Sequence, residues 1–336
     1  MKTVNTVVYH RLEDEYLQQI AAVSPQINLH VGLPAHRLTD PKAQSASFPP
    51  EDIETLLPTT EVLFAFRLPD GLAQKAPGLR WVQFATAGVE QARDAGLFAS
   101  DVIITSSSGI HAKPMGEYVL ASMLMFVHKF PLAQRQQMAH TWKTYTGAEL
   151  GDKTLGIVGY GRIGREVARL ALAFGMKVVA TQSSVTSPQR ISVPGGAVEL
   201  LPASHLHALL SRSDFVVVSV PLVQETVKLI GEPELRAMKP TAFLVNISRG
   251  RVLDEAALTR ALSERWIAGA GLDVFEKEPL PADSPLWGME NVILTPHIAG
   301  SHERYNERAT ALFCENLRRY LSGQPLLNVV DKVKGY

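Results

Sequence analysis

A chain of 336 residues, 46% hydrophobic and 20% charged, is long for a single hydrophobic core and ordinary for a globular protein; two domains are expected and long disorder is disfavoured. Lysine plus arginine and aspartate plus glutamate balance at 33 each, so no net field exists to gather nucleic acid or an anionic membrane. The single cysteine, Cys314, has no internal disulfide partner, the first residues carry no apolar signal core, and no apolar run approaches ~20 residues, which together predict a cytoplasmic protein without a membrane partner.

From Val4 onward, short β-branched runs alternate with helical patterns. NTVVYH, INLHV, EVLFAF, RWVQFA and DVIIT read as strands, with helix-like segments such as Asp14 to Val23 between several of them. A long helical pattern, MGEYVLASMLMFVHKFPLAQRQQM, follows, and then the series restarts with TLGIVG, MKVVAT, DFVVVSV, AFLVNI, AGAGLDV and NVILT. Near-continuous apolar strands separated by helices predict parallel sheets covered on both faces. The fold class is therefore α/β, with two doubly wound parallel-sheet domains. The last helical pattern, HERYNERATALFCENLRRYLSG, is expected to return to the first domain. That makes the amino-terminal domain discontinuous, 1–114 with 300–336, around a second domain over 115–299, and a small ligand is expected in a cleft between two such domains. Cys314 falls on the apolar face of that last helix, where a buried thiol is expected rather than a nucleophile.

Gly159-Tyr160-Gly161-Arg162-Ile163-Gly164 directly follows the apolar strand LGIV and precedes the helical run REVARLALAF. Glycine is common at strand–helix turns for steric reasons alone, but strand before, helix after and strand again point to a dinucleotide site. The first glycine permits the tight turn, the second lets backbone approach a pyrophosphate, the third allows close helix–strand packing, and the helix amino terminus faces the anion. Arg162 is a candidate for the same pyrophosphate, or an exposed first-turn arginine. An NAD-type fingerprint closes on an acidic residue about 20 positions later. Here the chain reads Thr181, Gln182, Ser183, Ser184.

Three polar residues stand beside strand ends of the second series: Arg249 in VNISRGRVLD, Glu278 in GLDVFEKEPLP and His297 in NVILTPHIAGS. Singly they have bland readings as a surface arginine, a loop glutamate and a turn histidine. Together they suit hydride transfer to a 2-oxo acid. A guanidinium fits the substrate carboxylate bidentately, an imidazole protonates the carbonyl oxygen as charge develops there, and a neighbouring carboxylate favours the charged imidazole. No metal is expected.

With these residues in place, the chain resembles the D-isomer-specific 2-hydroxyacid dehydrogenases over almost its whole length, most nearly those of glyoxylate/hydroxypyruvate reductase type. The segments that carry the resemblance are WVQFATAGVEQ, GEYVLASMLMF, the glycine loop, SDFVVVSVPL, VNISRGRVLDEAALTRAL, AGLDVFEKEPLP and NVILTPHIAG. The resemblance implies a flavodoxin-like substrate domain and a Rossmann cofactor domain. It implies that Arg249 binds substrate, that His297 is the general acid/base and that Glu278 pairs with it. It also implies that Asp273 lies near the nicotinamide, that Val220 and Pro221 line its pocket, and that the amides of Ala87 and Gly88 take the substrate carboxylate. The expected activity is NAD(P)-dependent interconversion of a small 2-oxo acid with the D-2-hydroxy acid. A homodimer through the cofactor domain, built on the helix-rich arm after Glu117, is implied as well. Corepressors of the same fold are the alternative, which no peptide-binding extension or disordered tail in the sequence favours.

The chain departs from the family pattern at several points. Glu90 stands where aspartate is more usual, Met115 and Gly116 replace a small pair before Glu117, and no carboxy-terminal serine-sensing domain is expected. Retention of Glu278 argues against the formate dehydrogenase branch. The missing acid after MKVVAT matters most. Neutral Gln182 does not repel a 2′-phosphate, and Ser183 and Ser184 offer hydroxyls. The expected cofactor is NAD(P)(H) with a weak preference for NADP(H), although no arginine stands at the strand end itself and Arg190, near in sequence, need not be near in space. Arg67, after EVLFAF, is either a further cation toward substrate or a surface residue. The identity of the 2-oxo acid is not readable from these residues.

Overall fold

The computed structural model describes residues 3–38, 45 and 47–336. The chain divides into two compact units, one built from Met1–Ile110 with His302–Tyr336 and the other from His111–Ser301.

In the first unit the strands are β1 (Val4–Tyr9), β2 (Ile27–Leu33), β3 (Glu51–Asp52), β4 (Val62–Ala65), β5 (Trp81–Phe84) and β6 (Ile103–Thr105). They form one parallel sheet in the order β3-β2-β1-β4-β5-β6. Without the two-residue β3, this is the flavodoxin-like order, whose ligands gather where the order reverses, between β1 and β4. Successive side chains leave opposite faces of a strand. Val7 accordingly enters a core with Leu63, Val82 and Ile104, while Val4 and Val8 enter another with Phe64, Trp81 and Phe313. The helix Tyr305–Leu321 supplies Phe313, which stacks on Phe64 at 4.4 Å. Cys314 on the same helix is buried, and burial pushes its thiol up to about 11. A thiol so disfavoured as thiolate is a packing residue.

The second unit holds β7 (Thr154–Val158), β8 (Lys177–Gln182), β9 (Gln189–Val193), β10 (Gly196–Pro202), β11 (Phe215–Val218), β12 (Phe243–Asn246), β13 (Gly269–Leu272) and β14 (Val292–Leu294). Their order is β14-β13-β12-β11-β7-β8-β10-β9, all parallel except β9, which pairs antiparallel with β10. Read from β7, this is the dinucleotide-binding order with one strand added at each edge. Phe215 and Val217 fill one face of the sheet and Val216 and Val218 the other. The hairpin of β9 and β10 was not among the expected strands. The long helical pattern after Gly109 is also two helices, Ala112–Val127 and Phe130–Met138, separated at Lys129, whose φ is 55°.

Candidate active site

The order of the second sheet reverses between β7 and β11, so both strands open their carboxyl ends onto one crevice. The glycine loop leaves β7 there and runs into the helix Arg162–Ala173, with Gly161 at its N-cap. Each glycine has a separate steric reason. Gly159 has φ +102°, and a Cβ on it would meet Val220 Cγ1 at 2.8 Å. A Cβ on Gly164 would lie 2.4 Å from the Gly159 carbonyl oxygen, so only glycine lets the helix sit this close to the turn. A Cβ on Gly161 would meet nothing within 4 Å. Protein packing does not require that glycine, whereas backbone approach by a bound anion does. Ile163 is half-buried and packs into the core, and Arg162 is exposed on the first turn. Val220 and Pro221 leave β11 at the same crevice, where the Ser219 hydroxyl donates to the Gly159 carbonyl at 2.9 Å.

Gln182 ends β8, half-buried, and Ser183 and Ser184 follow it exposed, in a turn closed by the Val185 amide on the Gln182 carbonyl at 3.1 Å. Arg190 lies on β9 opposite Glu199, which in turn is level with Val179 on β8. It is therefore two strands across and three residues back from Gln182, away from the strand end.

Farther along the same sheet edge, Arg249 follows β12. The Asn246 side chain shapes its turn, accepting from the Ser248 amide and hydroxyl and donating to the Arg249 carbonyl. The Arg249 Nη1 donates to the Ser248 carbonyl at 2.8 Å. Gly250 next to it touches backbone, since a Cβ there would fall 1.8 Å from the Phe275 carbonyl carbon. That close approach brings the Arg249 turn against the loop carrying Glu278. Glu278 Oε1 accepts from the Phe275 amide at 3.0 Å, and its Oε2 lies 2.7 Å from His297 Nδ1. A carboxylate only accepts, so Nδ1 carries the proton of this bond and Nε2 is left to exchange a proton with a substrate. The side chains are 50% (His297) and 36% (Glu278) exposed, an open pair within its own unit.

His297 has φ 55°, a conformation that costs a non-glycine residue on the order of 1–3 kcal/mol unless its surroundings enforce it. Asp273, just past β13 and buried, supplies the enforcement. Its carbonyl accepts from the His297 amide at 2.8 Å, its Oδ1 from Thr295 Oγ1 at 2.6 Å and the Ile298 amide at 2.8 Å, and its Oδ2 from the Ala299 amide at 2.8 Å. Thr295 also meets the Tyr118 hydroxyl at 2.6 Å. Thr295, Tyr118 and Gly250 were not singled out from the sequence. A glycine after SR was the one local signal, and its partner is 25 residues away.

Ala87 and Gly88 belong to the first unit, in the turn between β5 and the helix Glu90–Asp94, where the Thr86 hydroxyl donates to the Gly88 carbonyl at 2.7 Å. Arg67 is exposed, two residues past β4. Among the described residues no group of three or more His, Cys, Asp or Glu is arranged to hold a metal ion.

A Rossmann sheet with a fitted glycine loop and a histidine–carboxylate pair at its carboxyl edge is the frame of a nicotinamide-dependent dehydrogenase. Residues 120–299 match the model of the D-isomer specific 2-hydroxyacid dehydrogenase NAD-binding domain. The chain is 38% identical to a glyoxylate reductase of Korarchaeum cryptofilum over 77% of its own length and 78% of the relative's. It is also 38% identical to a glyoxylate/hydroxypyruvate reductase B of Pectobacterium carotovorum, over 77% of this chain and 81% of that one. The crystal structure of an NADPH-dependent glyoxylate/hydroxypyruvate reductase of Sinorhizobium meliloti, in complex with NADP and sulfate, superposes with a TM-score of 0.81 at 28% identity, covering 99% of this chain and all of that one. The chain belongs to the D-isomer specific 2-hydroxyacid dehydrogenase family.

Proposed function

We propose that this chain is an NAD(P)-dependent reductase of small 2-oxo acids of glyoxylate/hydroxypyruvate type, interconverting them with the D-2-hydroxy acids. The observation that carries the reading is the Glu278–His297 pair at 2.7 Å, on the same sheet edge as the Arg249 turn and the glycine loop. The residues fit a dinucleotide: Gly161 leaves the loop open to a pyrophosphate, and Val220 and Pro221 border it. Bound reduced nicotinamide supplies the hydride. The Arg249 guanidinium holds the substrate carboxylate, for which the family resemblance also implies the amides of Ala87 and Gly88. His297 Nε2 delivers the proton to the carbonyl oxygen, while Glu278 orients the ring and balances its charge. Asp273 acts on this chemistry through the loop that bears His297.

The proposed cofactor preference is weakly toward NADPH, because the residues ending β8 carry no carboxylate to repel a 2′-phosphate. The proposed assembly is a homodimer through the cofactor unit. The helix Phe130–Met138 has no buried residue, and Trp142 after it is 97% exposed, an apolar outlay that a second copy would cover. No helix among the described residues is long and apolar enough to cross a membrane, and a buried free thiol suits a reducing cytoplasm. The test is a panel of 2-oxo acids with NADH and NADPH, beside light scattering for the mass in solution. Absence of turnover with glyoxylate, hydroxypyruvate and their homologues rejects the reductase reading, and a 36.7 kDa species at micromolar concentration rejects the dimer.

A further inference from the structure

We propose that Tyr118 and Thr295 are positioning residues, which act through the buried Asp273 to hold His297 in the geometry of proton transfer. The inference rests on the reading of His297 as the acid. It begins from a conflict in the backbone: a proton donor needs a fixed direction, yet His297 occupies the left-handed region at φ 55° on a loop half open to solvent. The restraint comes from one carboxylate. Asp273 accepts from three neutral donors on that loop, Thr295 Oγ1 and the amides of Ile298 and Ala299, and its carbonyl takes the His297 amide.

The direction of each proton can be assigned. Both Asp273 oxygens accept backbone amides, Oδ1 from Ile298 and Oδ2 from Ala299, and the single Thr295 hydroxyl proton goes to Asp273 Oδ1. Tyr118, 2.6 Å from the same Thr295 oxygen, must then be the donor. Burial, and Asp273 beyond it, push the Tyr118 phenol above its ordinary range, which keeps that donor proton in place. The result is a one-way chain from the phenol through Thr295 to the carboxylate, each bond polarising the next. Tyr118 stands on the helix Ala112–Val127, whose Val119, Met123 and Val127 are packed in the core. The chain thus ties the histidine loop to a helix packed into the core. The phenol bonds to Thr295, and its proposed effect on the reaction passes through the angle of His297.

The experiment uses the full-length protein with glyoxylate and NADPH as probes. Tyr118→Phe keeps the ring and its packing and removes one hydroxyl. Thr295→Val removes the relay atom, and Thr295→Ser restores it. Expected for Tyr118→Phe and Thr295→Val is a fall in kcat of roughly tenfold, equivalent to about 1.4 kcal/mol, with the KM for NADPH within twofold of wild type and Thr295→Ser near wild-type kcat. Amide exchange over residues 295–301 should quicken in the two disabling variants and stay slow in Thr295→Ser. A kcat within twofold of wild type in both Tyr118→Phe and Thr295→Val overturns the proposal. So does a loss shared equally by Thr295→Ser, or one matched by the KM for NADPH. Should the wild type reduce no 2-oxo acid, the functional reading fails separately. The exchange measurement then decides the positioning claim: unchanged exchange in Tyr118→Phe overturns it and faster exchange upholds it.

Discussion

His297 draws its interest from which nitrogen is free. Glu278 holds Nδ1 at 2.7 Å, so the acid–base traffic proposed here runs through Nε2 alone. His297→Ala should keep cofactor binding and lose ~10²–10⁴-fold in turnover, the usual contribution of a general acid; more than half of wild-type kcat at saturating substrate removes His297 from the mechanism. The pH dependence follows from the sign of the proton. Reduction consumes protonated His297, so its rate falls as pH rises. Oxidation of the hydroxy acid needs the neutral ring, so its rate climbs over the same window. Rates that rise or fall together in both directions count against the pair. Arg249 is tested by geometry rather than charge. Arg249→Lys retains the cation and loses the planar fork, so kcat/KM for the 2-oxo acid should drop by one to two orders of magnitude, roughly 1.4–3 kcal/mol of lost bidentate contact. Wild-type kinetics in that variant assign the carboxylate to another group.

At the scale of elements, the strand ending in Gln182 sets the cofactor question. The side chain there is neutral and half-buried, the two serines after it are exposed, and Arg190 is held away on β9. Gln182→Asp should move the ratio of kcat/KM for NADH over NADPH by about tenfold toward NADH, the effect of about 1.4 kcal/mol. A wild type that already uses NADH tenfold more efficiently than NADPH contradicts the account of this strand end. The same region shows where the sequence was legible and where it was not. TLGIVG and MKVVAT were readable as strands because a parallel strand covered on both faces reads as a near-continuous apolar run. The neighbouring β9 and β10 were missed because QRISV keeps most of its side chains in solvent on an outer edge and GAVELLP is opened by a glycine, interrupted by Glu199 and closed by a proline. The break in the long helix left one trace that was passed over, Pro131 in the first turn of the second helix, two residues after the left-handed Lys129. Glu278 and His297 were legible as types beside strand ends. The contacts that fix them, Gly250 on Phe275 and Asp273 on the loop at 295–299, join segments some 25 residues apart and follow no periodicity.

At the scale of the whole molecule, the two units differ in how the chain builds them. His111–Ser301 is continuous and carries both faces of its sheet in its own sequence, whereas the first unit needs both ends of the chain. The helix Tyr305–Leu321 is what completes that unit. Phe313 lies between Phe64 and Trp81, and Asn316 donates to the buried Gln83 Oε1 at 2.9 Å, which also accepts from Thr105 Oγ1. Thr105 in turn accepts from the Trp81 indole at 2.7 Å. Without the helix, a large aromatic face and a satisfied polar network would be opened together, and a buried group stripped of its partner costs ~1–3 kcal/mol by itself. A fragment of residues 1–110 should therefore fail to fold cooperatively, and adding the segment 302–336 as a separate peptide should restore a thermal transition. The fragment 111–301 should fold alone and bind NADPH, because the glycine loop and Gln182 lie wholly within it. On the role that the family resemblance implies for the Ala87 and Gly88 amides, which belong to the other unit, it should not turn over glyoxylate. Circular dichroism melting and cofactor fluorescence titration measure the first two outcomes and a stopped assay the third. Turnover by 111–301 at more than a hundredth of the full-length rate removes Ala87 and Gly88 from substrate binding and places carboxylate recognition with Arg249 alone.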